Sequence, residues 1–288
     1  MSESIGMGIT LNVDLNDRFE DDEFVADLRL ALSKHRVVLL RDQDPRPSAM
    51  TGLARHFGPL LDLRRAGTDA IHVPEDKFVK VVSGNIAPDG RRLGDGNSES
   101  QVWHSDASQW ECPPGYVFMC CQDAPEPGPK TYFVDMIAAY RDLPEETKQR
   151  ISDLRVIHYN YARQVETETA REVSLPLQER MIGRAHPLVR RHIPTNKPNL
   201  YLPVRHDSVV VGWAEGESQA LLDSIWAHVE SCEKIGFALR AGDLVIWDNT
   251  ATVHSRDGWD PSLRRVMWHV SAEGEVPTPM YSGRTVAH

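Results

Sequence analysis

Residues 242–271, GDLVIWDNTATVHSRDGWDPSLRRVMWHVS, decide the fold. They hold three short strand candidates, 243–248, 251–255 and 264–271, separated by polar turn signals. Working outward, further short runs at 36–40, 78–83, 116–121, 131–134, 154–159 and 199–203 also read as strands. Helical patterns interrupt them at 21–34, 47–57, 136–152 and 217–233. Many short strands between turns predict a mainly β architecture, a barrel or sandwich with flanking helices outside it. No period of 20–50 residues repeats. Glycine and proline, 19 of each, are scattered rather than pooled in a linker. One domain across 1–288 is the expectation, with the polar, weakly periodic stretches 84–102 and 159–182 as lids.

The chain has 288 residues with 32 Lys+Arg against 42 Asp+Glu, a formal charge of −10. That length suffices for a sizeable core without disulfides. The acidic balance argues against a nucleic-acid partner, whose phosphates need a basic surface. It leaves room for a local basic pocket that meets a small anion. Cys112, Cys120, Cys121 and Cys232 show no metal-type spacing, and Cys120 and Cys121 sit in an apolar run where thiols act as small hydrophobes. The first residues lack the pattern of a signal peptide, and no apolar run reaches the length of a membrane span. A reducing, cytoplasmic setting with no membrane partner is therefore expected.

The chemistry gathers around Trp103-His104-Ser105-Asp106. Residues two apart share a face of an extended chain, so His104 and Asp106 can point at one metal ion. Alone, this pair is equally the mark of a solvated surface turn. A third ligand must come from elsewhere, and His254 is the best candidate. Two histidines and a carboxylate form the triad that suits iron(II) and leaves positions open for a cosubstrate and dioxygen. Arg265 lies eleven residues beyond His254, in a segment that alternates with period two. That period puts Arg265, Met267 and His269 on one face and Val266, Trp268 and Val270 on the other. An arginine turned into an apolar interior is costly unless an anion meets it, and its fork matches a carboxylate. A one-residue slip would turn Arg264 inward instead; Arg265 is the favoured reading.

At these residues the chain resembles the taurine dioxygenase-like (TauD/TfdA) family of iron(II)- and 2-oxoglutarate-dependent dioxygenases. The similar blocks run in order. They are Val37–Gln43, Leu53–Gly58, Trp103–Asp106, Thr131–Pro144, His186–Val189, Asn199–Tyr201, Gly242–Asn249, and then His254 and Arg264-Arg265. The resemblance implies a double-stranded β-helix, the cupin-like jelly roll. It implies that His104, Asp106 and His254 bind iron, that Arg265 anchors 2-oxoglutarate, and that Thr131 supports the same carboxylate. The implied reaction consumes 2-oxoglutarate and O2, releases succinate and CO2, and oxidises a C–H bond of a small molecule. Asp106 stands where related halogenases carry a small residue, which points to hydroxylation, with desaturation or cyclisation as other outcomes. Family members are often dimers or tetramers, so a homo-oligomer is compatible with the chain.

The substrate signal is weaker. His269 stands where taurine enzymes carry a sulfonate-binding arginine, and Ser100 where they carry an asparagine, so taurine itself is not expected. An amino-acid derivative or natural-product intermediate is the expected substrate. The alternatives are a catabolic oxygenase for sulfonate or aryloxy-acid substrates and, more remotely, a non-catalytic jelly-roll binding protein. His269, Ser100, Trp110 and His158 are candidate substrate contacts, with His158, Tyr159 and Tyr161 at the mouth of the expected lid and Arg64-Arg65 as cations for an anionic substrate. Each has an ordinary alternative as packing or solvated surface. Lys130 reads as solvated, and His186, taken as a strand start, and His192 are not assigned to metal.

Overall fold

A computed structural model of the chain describes residues 6–62, 72–82, 98–159, 183–204 and 208–281. Arg64, Arg65, Tyr161 and most of the two expected lid stretches lie outside these residues. The described residues cluster into two compact units, each assembled from separate stretches of chain.

The first unit comprises Met1–Gln101, Pro114–Phe133 and Lys234–Gly274. It opens with strand β1 (Ile9–Leu11), helices α1 (Leu15–Arg18) and α2 (Asp22–His35), strand β2 (Val37–Leu40) and helix α3 (Pro47–Arg55). Strands β3 (His72–Val73) and β4 (Asp76–Val82) follow, then the long β6 (Pro114–Asp123) and β7 (Lys130–Asp135), while β5 (Gln101–His104) has three of its four residues in the second unit. Strands β13 (Lys234–Ala238), β14 (Leu244–Asp248), β15 (Thr252–Arg256) and β16 (Val266–Glu273) close the series. Seven strands form one sheet in the order β1-β2-β14-β6-β16-β4-β3, and four form another in the order β13-β7-β15-β5.

The strands of the large sheet are apolar on both faces, and the pleat sorts their side chains by parity. Val38, Leu40, Phe118, Cys120, Leu244, Ile246, Val266 and Val270 join the core beneath α2 and α3. Their alternates, Val37, Leu39, Val117, Met119, Cys121, Val245, Trp247 and Met267, join a second core with Phe133 of the smaller sheet. The expected face assignment on the last strand therefore holds, with Met267 on one side and Val266 and Val270 on the other. Helix α2 buries Phe24, Val25, Leu28 and Leu32, an i, i+4, i+8 stripe, and Asp21 caps it by accepting from the Glu23 and Phe24 amides. Cys120 and Cys121 are free and buried, as expected of small hydrophobes, and burial pushes both thiols up to about 12.

The second unit comprises Val102–Pro113, Val134–Glu233 and Glu275–His288. Its helices are α4 (Met136–Arg141), α5 (Glu145–Ile151) and α6 (Glu215–Ser231). Strands β8 (Arg155–Tyr159), β9 (Gly183–Pro187) and β12 (Ser208–Val210) form an antiparallel sheet with β8 central. Strands β10 (Val189–His192) and β11 (Lys197–Leu200) form a hairpin.

Two expectations need correction here. The helix expected over 136–152 is two helices, because Pro144 lacks an N–H and clashes with the preceding turn; it serves as the N-cap of α5 instead. The lid expected over 84–102 ends too late, because Gln101–His104 form strand β5. Its residues 84–97 lie outside the described part of the chain, as do 160–182 of the second. No helix among the described residues is long and apolar enough to cross a membrane.

Candidate active site

The ligand segment is built from a strand end and a turn. Strand β5 stops at His104, and Asp106 lies in the turn that follows, so the pair does not ride on extended chain throughout. The side chains still converge, with His104 Nε2 3.6 Å from Asp106 Oδ1. His104 Nδ1 lies 2.8 Å from the Val102 carbonyl. A carbonyl only accepts, so this contact fixes the Nδ1–H tautomer and leaves the Nε2 lone pair for a metal.

His254 comes from β15, and the turn ahead of it is heavily bonded. Asp248 Oδ1 accepts from the Thr250 amide at 2.9 Å, the Thr252 hydroxyl donates to the Asp248 carbonyl at 2.8 Å, and the Asn249 amide group donates to the Pro114 carbonyl at 3.0 Å. The buried His254 ring stacks on Phe133, with centroids 5.8 Å apart and planes at 27°, and Trp247 lies 5.1 Å away at 60°. His104 and Asp106 belong to the second unit and His254 to the first. Among the described residues these three are of the types, two imidazoles and a carboxylate, that could hold a metal ion.

Arg265 is 1% exposed, with its guanidinium 5.1 Å from the centre of the Trp259 ring. Its charge opposes the burial-driven rise of the Cys121 thiol, a member of the second core. Arg264 is 37% exposed and paired with Asp123. The slipped register is thereby ruled out. The Thr131 hydroxyl is 2% exposed and has no hydrogen-bond partner among the described residues. A buried, unsatisfied hydroxyl costs about 1–3 kcal/mol unless a ligand meets it. Two imidazoles and a carboxylate suit iron(II), and a buried guanidinium and an orphaned hydroxyl suit the carboxylate of 2-oxoglutarate.

The remaining candidates fall in varied places. His269 is half-buried with its ring 6.4 Å from Trp247. Ser100 is exposed just ahead of β5, Trp110 is half-buried and Lys130 is exposed, as expected. His158 borders residues that lie outside the described part of the chain. It is fully buried in the second unit, where its burial holds the imidazole neutral. His186 lies near the end of β9 rather than at a strand start, with Nε2 bonded to the Trp110 carbonyl. The sequence reading missed Phe133 and Trp247 beside His254. The signal was available for Phe133, which shares a strand face with Thr131 two residues earlier.

A jelly roll that carries two histidines and a carboxylate of this kind, with a buried arginine, defines a non-haem iron(II) dioxygenase. The chain belongs to the taurine catabolism dioxygenase TauD, TfdA family, whose model matches residues 2–271. It is 30% identical to pentalenolactone F synthase of Streptomyces arenae, over 93% of this chain and 92% of that protein. It is 28% identical to the α-ketoglutarate-dependent 2,4-dichlorophenoxyacetate dioxygenase of Burkholderia sp. strain RASC, over 87% and 86% of the two chains. Among solved structures, a taurine dioxygenase from Burkholderia xenovorans superposes with a TM-score of 0.73 at 26% identity, covering 94% of this chain and 89% of that one. The protein is thus an iron(II)- and 2-oxoglutarate-dependent dioxygenase that acts on a small molecule.

Proposed function

We propose that the chain hydroxylates a C–H bond of a small natural-product or amino-acid-derived substrate, within one catalytic domain spanning the sequence. The family match, with His104, Asp106 and His254 as the ligand types it calls for, carries the reading. The uninterrupted family match from 2 to 271 supports the single domain. The substrate class is supported by the likeness to a pentalenolactone F synthase and by His269, a neutral or weakly charged ring where a sulfonate would call for a permanent cation.

In this reading His104, Asp106 and His254 hold iron(II), and Arg265 and Thr131 hold the distal carboxylate of 2-oxoglutarate. When bound, iron, 2-oxoglutarate and dioxygen supply the oxidation of the substrate, with succinate and CO2 released. The chain's own share is geometry and electrostatics. The Val102 carbonyl orients His104, while Phe133 and Trp247 fix the ring of His254. Arg265 would offer charge-assisted bonds to the cosubstrate carboxylate, and the Thr131 hydroxyl would donate a further one. Met267, Trp247 and Val245 form an apolar wall that keeps bulk water from the inner face. Asp106 keeps a carboxylate on the metal, which favours hydroxylation over halide transfer.

The test is an anaerobic titration of the iron(II)-loaded protein with 2-oxoglutarate. A visible charge-transfer band saturating near a 1:1 stoichiometry is expected, and its absence would overturn the assignment. A panel of amino-acid derivatives, natural-product intermediates, sulfonates and aryloxy acids then separates substrate classes by succinate release. Stimulation by the sulfonates or aryloxy acids alone would favour the catabolic alternative, which the likeness to the dichlorophenoxyacetate enzyme keeps in view.

A further inference from the structure

The segment that follows Asp106 is anchored by side chains outside the ligand set. His186 Nε2 lies 2.9 Å from the Trp110 carbonyl, and the Tyr201 hydroxyl donates to the Ser108 carbonyl at 3.1 Å. Ser108 is two residues past Asp106, and Trp110 is four past it. Because a carbonyl only accepts, His186 carries its proton on Nε2. Burial keeps that ring neutral, with its pKa lowered to about 4.

Both anchors are themselves immobilised. His158, fully buried, meets His186 edge-on with centroids 5.1 Å apart and planes at 87°, and lies 4.5 Å from the Tyr201 ring. The Arg190 guanidinium stands 3.7 Å from the centre of the Tyr201 ring. The turn they hold is strained. Ala107 adopts a φ of 46°, a left-handed conformation that non-glycine residues avoid and that persists when the surroundings over-determine it. Ser105 and Ser108 are buried on either side.

We propose that His186 and Tyr201 are positioning residues of the iron site, holding the 106–110 backbone so that the Asp106 carboxylate meets His104, whose Nε2 lies 3.6 Å away. The inference rests on the reading of Asp106 as an iron ligand. Neither residue touches the metal; each acts through a main-chain carbonyl of the segment that carries Asp106. Their part is that of the outer partners that orient metal ligands, whose loss commonly weakens metal affinity about 10–100-fold.

The experiment titrates full-length apoprotein with cobalt(II) under nitrogen, following the visible ligand-field bands, with thermal unfolding of each apoprotein alongside. Tyr201→Phe deletes one hydroxyl and keeps the ring. His186→Leu deletes the other donor, and His186→Gln restores an N–H near the position of Nε2. Asp106→Ala is the benchmark, and Trp226→Phe, in the buried face of α6, is the packing control. Tyr201→Phe and His186→Leu are each expected to weaken cobalt binding about tenfold and shift the bands, with His186→Gln close to wild type and Trp226→Phe unchanged in affinity.

If Asp106→Ala binds cobalt as well as wild type does, the ligand assignment fails and this proposal with it. If Asp106→Ala loses binding while Tyr201→Phe and His186→Leu stay within twofold of wild type, the positioning role is overturned and the iron site stands. Loss of affinity in Trp226→Phe in proportion to its melting temperature, on the same line as the other two, would reduce their effect to global stability and equally overturn it.

Discussion

Phe133 stacks on His254, with ring centroids 5.8 Å apart and planes at 27°. The arrangement restricts a ligand imidazole from the side of the smaller sheet, while Trp247 bounds it from the larger. A ring pair of this kind contributes about 0.5–1.5 kcal/mol beyond its buried area. Phe133→Leu is expected to keep the fold, at a cost of about 1–2 kcal/mol, below the ~3–5 kcal/mol of a Phe→Ala change. Metal affinity should fall roughly 2–12-fold, the same energy expressed as an equilibrium. Cobalt titration of the apoprotein measures the fall. An unchanged affinity with a lowered melting temperature would show that the stack serves packing alone.

The two adjacent arginines make an internal contrast. Arg265 is buried, whereas Arg264 is partly exposed and pairs with Asp123. Arg265→Lys keeps the charge but loses the planar fork, so the KM for 2-oxoglutarate should rise about 10–100-fold, the range of a lost bidentate carboxylate contact. Arg264→Gln removes a surface pair worth at most about 1 kcal/mol and should leave that KM within about twofold. Succinate release as a function of 2-oxoglutarate concentration reads both. The reverse ranking would return the anchor to Arg264.

The inner face of the last strand was legible because period two is strict: once Met267 is inside, Val266 and Val270 are outside. The family was legible from the spacing and residue types of its blocks. What the sequence concealed is tertiary. Nothing in Val189-Arg-Arg-His192 marks a strand, since the hairpin it forms with β11 is fixed by pairing rather than by an apolar pattern. His158 read as the border of a lid because polar, weakly periodic sequence follows it, yet β9 and β12 flank it on both sides. The anchors His186 and Tyr201 stand 80 and 95 positions from Asp106, a separation that only folding closes.

Strain at Ala107 gives a separate handle on the Asp106 turn. At a φ of 46° a Cβ costs roughly 1–2 kcal/mol, more for a β-branched side chain. Ala107→Gly relieves that strain but adds about 0.4–1 kcal/mol of unfolded-state entropy, so stability should change by less than about 1 kcal/mol. Ala107→Val is expected to lose about 1–3 kcal/mol and to weaken cobalt binding as the turn shifts. Thermal unfolding and the same titration check both, and a valine variant as stable as wild type would count against a strained turn.

The buried histidines of the second unit set an acid limit on stability. Burial lowers the pKa of His186 to about 4 and that of His158 well below its ordinary 6.5, with His186 and Arg190 lowering His158 further. In the unfolded chain both titrate near 6.5. Above that pH both states are neutral at these positions, and the stability associated with the depressed values is fully present. Between about 6.5 and 4 the unfolded chain binds protons that the folded one refuses, so stability falls with decreasing pH, by roughly 1.4 kcal/mol per unit for each histidine. The unfolding midpoint in urea should therefore drop steeply from pH 6.5 to 4.5. His158→Phe, an uncharged ring of similar size, should flatten that drop by one proton's worth of slope. A wild-type midpoint that stays level over this range would mean that these rings accept protons in the folded state.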